Sequence, residues 1–189
     1  VTSPSEIELT GALIRISKDS KKRIVFVEGH SELNVEDKDR NGLFIAKEAL
    51  IRQGYDVGTV SLLKEATVPD HTSVLVLAGP RRSVIKEEQD RIHAYVEKGG
   101  HLLVLADPDT QTGLETLLAR WGLGLGSGVL VDLQDRLAQG DLTALLVRTF
   151  TEHEITQDLT SAVLLPLSRH ITFDEQTGKD WDFVPLART

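Results

Sequence analysis

The chain has 189 residues and contains no cysteine and no methionine; its aromatic residues are two Trp, two Tyr and five Phe. Without cysteine there is no disulfide, no thiolate metal ligand and no thiol nucleophile, although the absence suits a reducing and an oxidising compartment equally. Basic clustering is also missing. No basic block exceeds Lys21-Lys22-Arg23, and 29 acids against 21 bases give a net charge of −8, which speaks against a nucleic-acid partner. No apolar run reaches the roughly 18 residues of a membrane span. The missing methionine, with no signal-peptide core around Val1-Thr2-Ser3-Pro4, leads us to expect a segment excised from a longer protein. At the other end Asp182–Leu186 reads as a strand, or the approach to one, cut in mid-course.

What is present is organised around Val74–Asp109. Here an apolar run is followed by Gly79-Pro80-Arg81-Arg82-Ser83, a helical segment, Gly99-Gly100, a second apolar run and Asp107-Pro108-Asp109. Continuous apolar runs without alternation suit strands covered on both faces, and a helix between them makes the strands parallel neighbours. Upstream, Ile24–Val27 is predicted as the first strand, Leu43, Ala46 and Leu50 as the face of a helix stopped by Gly54, Tyr55–Val60 as the second strand and Ser73–Ala78 as the third. Ser83 is placed to cap the crossover helix, with Glu87 and Glu88 near its positive end and Ile85, Ile92 and Val96 as its buried stripe. Ser3-Pro4-Ser5-Glu6 reads as the start of a lead-in helix over residues 1–18. Residues 19–189 are expected to form a single domain, long enough to bury about 70% of its unfolded surface. Downstream, Leu114–Trp121 reads as a short helix, and Val129–Val131, Leu145–Phe150 and Ala162–Leu165 as strands of a less regular, β-containing C-terminal part. The fold class is α/β: three layers around a mainly parallel sheet, flavodoxin-like or glutamine-amidotransferase-like.

In such a sheet ligands bind outside the carboxyl ends of the strands, where the strand order reverses. With the order 2-1-3-4, Glu28, Gly29, His30, Ser31 and Glu32 after the first strand lie beside Gly79, Pro80 and Arg81 after the third, and Asp107 and Asp109 follow the fourth. These ten residues are the candidate ligand site. Carboxylates with His30 and Arg81 suit acid–base chemistry or the holding of a sugar or an anion; alternatively, Glu28 and His30 satisfy the loop backbone and each other. Other motifs give less. The glycines of Gly122–Gly128 fail the G-x-G-x-x-G spacing and read as structural, no P-loop occurs, and no serine sits in a nucleophile elbow. Asp37–Glu48 matches the EF-hand loop pattern, but Ile45 occupies its ninth position and no helix precedes it; the competing reading is an acidic helix start. We assign no metal ligands and no cofactor.

In chain order, Gly29-His30-Ser31-Glu32, Leu50 through Gly54-Tyr55-Asp56-Val57, Gly79-Pro80, Gly99-Gly100, Asp107-Pro108, Val131-Asp132, His153–Thr156 and Leu165–Arg169 resemble the GldG-like, ABC-type transport auxiliary family, over about Ile24–Arg169. Two positions depart from the family pattern: Ser31 stands where a second glycine is usual, and Glu154 where proline is common. The resemblance implies an extracytoplasmic domain, periplasmic or at the cell surface, of a membrane-anchored accessory subunit. Its partners would be the membrane or ATPase subunits of an ABC-type transport or gliding-motility system. The family brings no catalytic residues, and the amidotransferases that share the fold use a cysteine absent here, so the resemblance implies a scaffold rather than an enzyme. Two alternatives stay open: a glycan-binding module using Glu28, His30, Glu32 and Arg81, and a hydrolase using Glu28 or Asp107 as base.

Overall fold

Runs of Val, Ile, Leu and Phe without alternation do form strands buried on two faces. In a computed structural model that describes residues 21–108, 110–131 and 142–188, β1 (Arg23–Val27), β2 (Asp56–Val60), β3 (Thr72–Ala78) and β4 (His101–Leu105) form one sheet. All its pairings are parallel and its order is β2-β1-β3-β4, as the sequence predicts. The lead-in helix of residues 1–18 lies outside the described residues, as does Asp109. The chain divides into two compact units, one through Leu105 and one from Ala106 onward.

In the first unit, α1 (Phe44–Arg52) connects β1 to β2, and α2 (Lys86–Glu97) connects β3 to β4. The two crossovers step in opposite directions along the sheet, so right-handed connections put the helices on opposite faces. On the α1 face Ile24, Phe26, Val76 and Ala78 are buried, with Leu33, Leu43, Leu50 and Tyr55 packed against them. On the other face lie Val25, Leu75 and Leu77, all fully buried, as is Ile92 of α2. Each such aliphatic side chain contributes about 1.5–3 kcal/mol by leaving water.

Two expectations about this unit are corrected. Among the described residues β4 is not covered on both faces: it is the edge strand, and Leu103 and Leu105 are 48% and 45% exposed. Ser83 does not cap α2. The helix starts later, with Ile85 at its N-cap, and the amide of Ile85 donates to Glu88 Oε2 at 3.2 Å. Three residues is the reach of a carboxylate folding back over the first turn, so Glu88 satisfies the N-cap amide, while no side chain caps the first-turn amides that the serine was expected to hold.

The second unit contains α3 (Leu114–Ala119), which buries Leu114, Leu117 and Leu118, and two antiparallel ladders. β5 (Leu123–Leu125) pairs with β8 (Ile171–Phe173), and β6 (Ala144–Val147) with β7 (Val163–Pro166). The strand expected at Val129–Val131 is absent; the glycine run forms β5 instead. Close approach explains its composition. A Cβ on Gly124 would sit 2.5 Å from Thr172 Oγ1, and one on Gly126 would sit 2.0 Å from the His170 ring, so glycine lets the paired strand come near. Leu145–Phe150 contracts to β6, and Asp182–Leu186 makes no strand: Thr151 N donates to Leu186 O, beside a single bridge between Phe150 and Ala187.

Candidate functional site

The carboxyl ends of β1 and β3 lie side by side, and the backbone ties their loops together. His30 O accepts from the amides of Arg81 (2.8 Å) and Arg82 (3.0 Å), and Leu33 N donates to Ala78 O at 2.9 Å. Such bonds need sharp reversals, and the chain makes them at Gly29 (φ 128°), Ser31 (φ 59°) and Gly79 (φ 62°). Ser31 therefore holds a left-handed conformation that a glycine would adopt without strain. Gly79 and Pro80 are buried beneath the loops.

The side chain of His30 points inward. Its Nδ1 lies 3.0 Å from Glu32 Oε1 and its Nε2 2.9 Å from Glu88 Oε2, while its amide donates to Glu32 Oε2 at 2.7 Å. The side chains of His30 and Glu32 are each 4% exposed and that of Glu88 is 0% exposed. A neutral imidazole carries one N–H and can donate to only one carboxylate, so both ring bonds form together only when the group holds a second proton. Glu88 Oε2 also accepts from Ile85 N, whereas Glu88 Oε1 is buried with no protein partner. The arrangement is a latch: one histidine from the β1 loop locked between a carboxylate of its own loop and one from the first turn of α2.

The expectation that Glu28 and His30 satisfy each other is thus corrected. Glu28 is exposed, and His30 bonds to Glu32 and Glu88 instead. Glu88 is the residue that the candidate site missed, read only as a surface charge favouring the helix end. Its signal was present, because Glu88 lies four residues before Ile92 and so falls on the stripe that α2 buries. Outward from the latch the loops present Glu28, Ser31, Arg81 and Arg82. Beside Glu28 are a cavity of about 180 Å³ reaching Ser31, Asn34 and Thr59, and one of about 260 Å³ reaching Lys64 and Glu65. A larger cleft of about 440 Å³ runs between the β2–β3 connection and α2, past Asp70, Arg91 and Tyr95. Burial raises the Tyr95 phenol above its usual range, offset in part by its bond to His101 O.

Asp107 belongs to the second unit, and its part there is a backbone one. Its carbonyl accepts from Arg169 Nη1 at 2.9 Å; Arg169 Nε donates to Gly126 O at 2.7 Å, and Nη2 lies 3.8 Å from Glu115 Oε1. No three His, Asp or Glu side chains among the described residues come together in a way that could hold a metal ion. Asp37, Asp39 and Glu48 therefore do not form the calcium cage that their spacing allows. Asp37 instead starts a turn, its Oδ1 accepting from Asp39 N and its carbonyl from Phe44 N, while Glu48 lies within α1.

Comparison with known proteins relates the chain to one family and to solved structures. A family model described as ABC-type uncharacterized transport system matches residues 21–189. Among solved structures, the mmIFT52 N-terminal domain is similar at a TM-score of 0.63 and 14% identity, over 80% of this chain and 68% of that one, a likeness of fold. No curated protein matches the chain.

Proposed function

The chain belongs to the ABC-type uncharacterized transport system family, an auxiliary transport family, and from that premise we propose that it is the non-catalytic, extracytoplasmic domain of a membrane-anchored accessory subunit. It docks a membrane subunit of the transporter through the β1 and β3 loops. The observation that carries this reading is the latch. The groups best suited to proton transfer, His30 and Glu32, are occupied with each other and with Glu88. What the loops turn outward is Glu28, Ser31, Arg81 and Arg82 on a backbone fixed by cross-loop bonds, and charges of both signs on a rigid support suit recognition. No cofactor is required. The glycan alternative gains nothing from the aromatic residues, since none lies within the β1 or β3 loop. The hydrolase alternative needs a buried base, and Glu28 is exposed.

These 189 residues contain no cysteine, so one introduced among them can be read against the unsubstituted protein. In the full-length protein in its own cells, Ser31→Cys is expected to react with a membrane-impermeant maleimide before lysis; labelling only after lysis ends the extracytoplasmic reading. A photo-crosslinker at Ser31 or Arg81 is expected to capture a membrane subunit of the transporter, and one at Lys98 is not. Equal capture from all three positions, or none, removes the loops as the docking surface.

A further inference from the structure

The β5–β8 ladder of the second unit turns an apolar face outward. Leu123 pairs with Phe173 and Leu125 with Ile171, and residues directly opposite in a ladder share a face. Ile171 is 66% exposed and Phe173 48%. The chain then returns to extend this face: the Phe183 ring stacks on Phe173 at 5.4 Å, and Trp181 meets Trp121 edge-on at 6.0 Å. Gly178 admits the return, since a Cβ there would sit 2.4 Å from the Phe183 ring and 3.0 Å from Trp121 O. Trp121 is buried and anchors the group, yet Trp181 stays 45% exposed and Val184 43%. Exposed apolar clusters with a polar rim mark interaction surfaces. Here the rim is of one sign: between Ile171 and Val184 stand Asp174, Glu175, Asp180 and Asp182 against Lys179 alone. All five are exposed, and none of the four carboxylates forms an ion pair with a described residue.

We infer that this surface binds a basic, amphipathic segment of another polypeptide, its apolar side chains on Ile171, Phe173 and Trp181 and its lysines or arginines against the four carboxylates. Charge selects this occupant. A second copy meeting the patch about a two-fold axis would bring the same four carboxylates against themselves. An anionic bilayer would meet the same repulsion. A basic segment is instead drawn in by the unpaired acids, and a cation over the Trp181 ring gains from its negative face as well. A rigidly held tryptophan at the centre of a patch is also the residue type that most often dominates binding energy. Phe173 and Trp181 are held by their stacking partners before any segment arrives, so little ordering remains to be done on binding.

This inference does not rest on the family or on the docking role of the β1 and β3 loops. The test takes the 189-residue protein with two synthetic amphipathic peptides, one of leucine and lysine and one of leucine and glutamate. Binding is read by calorimetry and by the indole N–H signal of Trp181 in NMR spectra. The leucine–lysine peptide is expected to move that signal saturably and to bind more weakly as salt rises from about 0.01 to 0.1 M, and its glutamate counterpart is expected not to bind. Trp181→Ala should weaken binding about tenfold or more. Because Trp181 also touches Trp121, two milder variants keep the test sound: Ile171→Ser, at a side chain two-thirds in water, and Asp180→Asn with Asp182→Asn should each weaken binding several-fold. Glu65→Gln with Glu87→Gln removes the same charge from exposed positions of the first unit and should change nothing. Equal binding of the two peptides, no saturable change at Trp181, or an equal loss in the Glu65 and Glu87 variant would overturn the inference. So would self-association that Trp181→Ala abolishes, which assigns the patch to a second copy, or Trp181-dependent binding to phosphatidylserine vesicles, which assigns it to a membrane.

Discussion

Replacing Glu88 with alanine should be among the most damaging single changes in the first unit. The carboxylate is fully buried; its Oε2 lies 2.9 Å from His30 Nε2 and accepts at 3.2 Å from the Ile85 amide. Truncation leaves a buried imidazole nitrogen facing an apolar gap, removes the acceptor for the start of α2 and opens a hole where four side-chain heavy atoms were packed. Stranding a buried polar group costs about 1–3 kcal/mol, and the hole adds to it. We take about 3 kcal/mol, because Glu32 continues to hold the other ring nitrogen. In a protein of this size that corresponds to a melting shift of about 6–12 °C. The assay is native-state amide exchange at Val25 and Leu75, supported by urea titration, for the wild type, His30→Ala, Glu88→Ala and the double variant. A genuine latch gives a coupling energy above about 1 kcal/mol, since losing one partner already strands the other. Additivity within about 0.5 kcal/mol, or a cost for Glu88→Ala below about 1 kcal/mol, would refute the reasoning.

Three further outcomes follow from features of the second unit. Arg169→Ala should destabilise it by about 2 kcal/mol in urea, and Arg169→Lys should recover little, because three nitrogens of one planar fork reach Gly126 O, Asp107 O and Glu115 separately. Gly122→Ala should cost more than Gly99→Ala. Both positions have positive φ, worth about 1 kcal/mol, but a Cβ at Gly122 also meets Asp174 O and Gly178 N at 2.8 Å, whereas at Gly99 it meets nothing within 4 Å; equal melting shifts would contradict this. The Asp174 carboxyl is held below the usual 3.8 by the Thr177 hydroxyl and then by the Gln176 amide. Its folded pKa is depressed, so the turn's contribution is present above that ordinary value and is lost as pH falls through the lower folded one. A carboxyl-carbon NMR titration should find the midpoint below 3.8, moving upward in Thr177→Val; a wild-type midpoint at or above 3.8 would be the wrong sign.

The sheet was legible because its strands are dense in Val, Ile, Leu and Phe and its helices are bounded by Gly54 and Gly99, both with positive φ. Where the reading failed, a contact distant in sequence had decided the matter. Ser83 looked like a cap, but the helix starts two residues later, and the partner that holds Glu88 inward is His30, 58 positions away. The glycine run read as structural, with no strand in it, because the partners of Gly124 and Gly126, Thr172 and His170, lie in a distant segment. Of the candidate site, the topology located His30 and Glu32 after β1 but not their inward turn.

The pairing of β5 with β8 also sets an order of events during synthesis. Every strand of the parallel sheet lies within Arg23–Leu105, so that sheet can close while the rest of the chain is still being made. Leu123–Leu125 must wait for Ile171–Phe173, which at about 5–20 residues per second is a delay of about 2–10 s. A strand that waits so long beside a ribosome invites pairing with the wrong neighbour. Alternating glycine lowers its strand propensity, so the residues that admit Thr172 and His170 also leave the segment little inclined to hold a strand before those partners emerge.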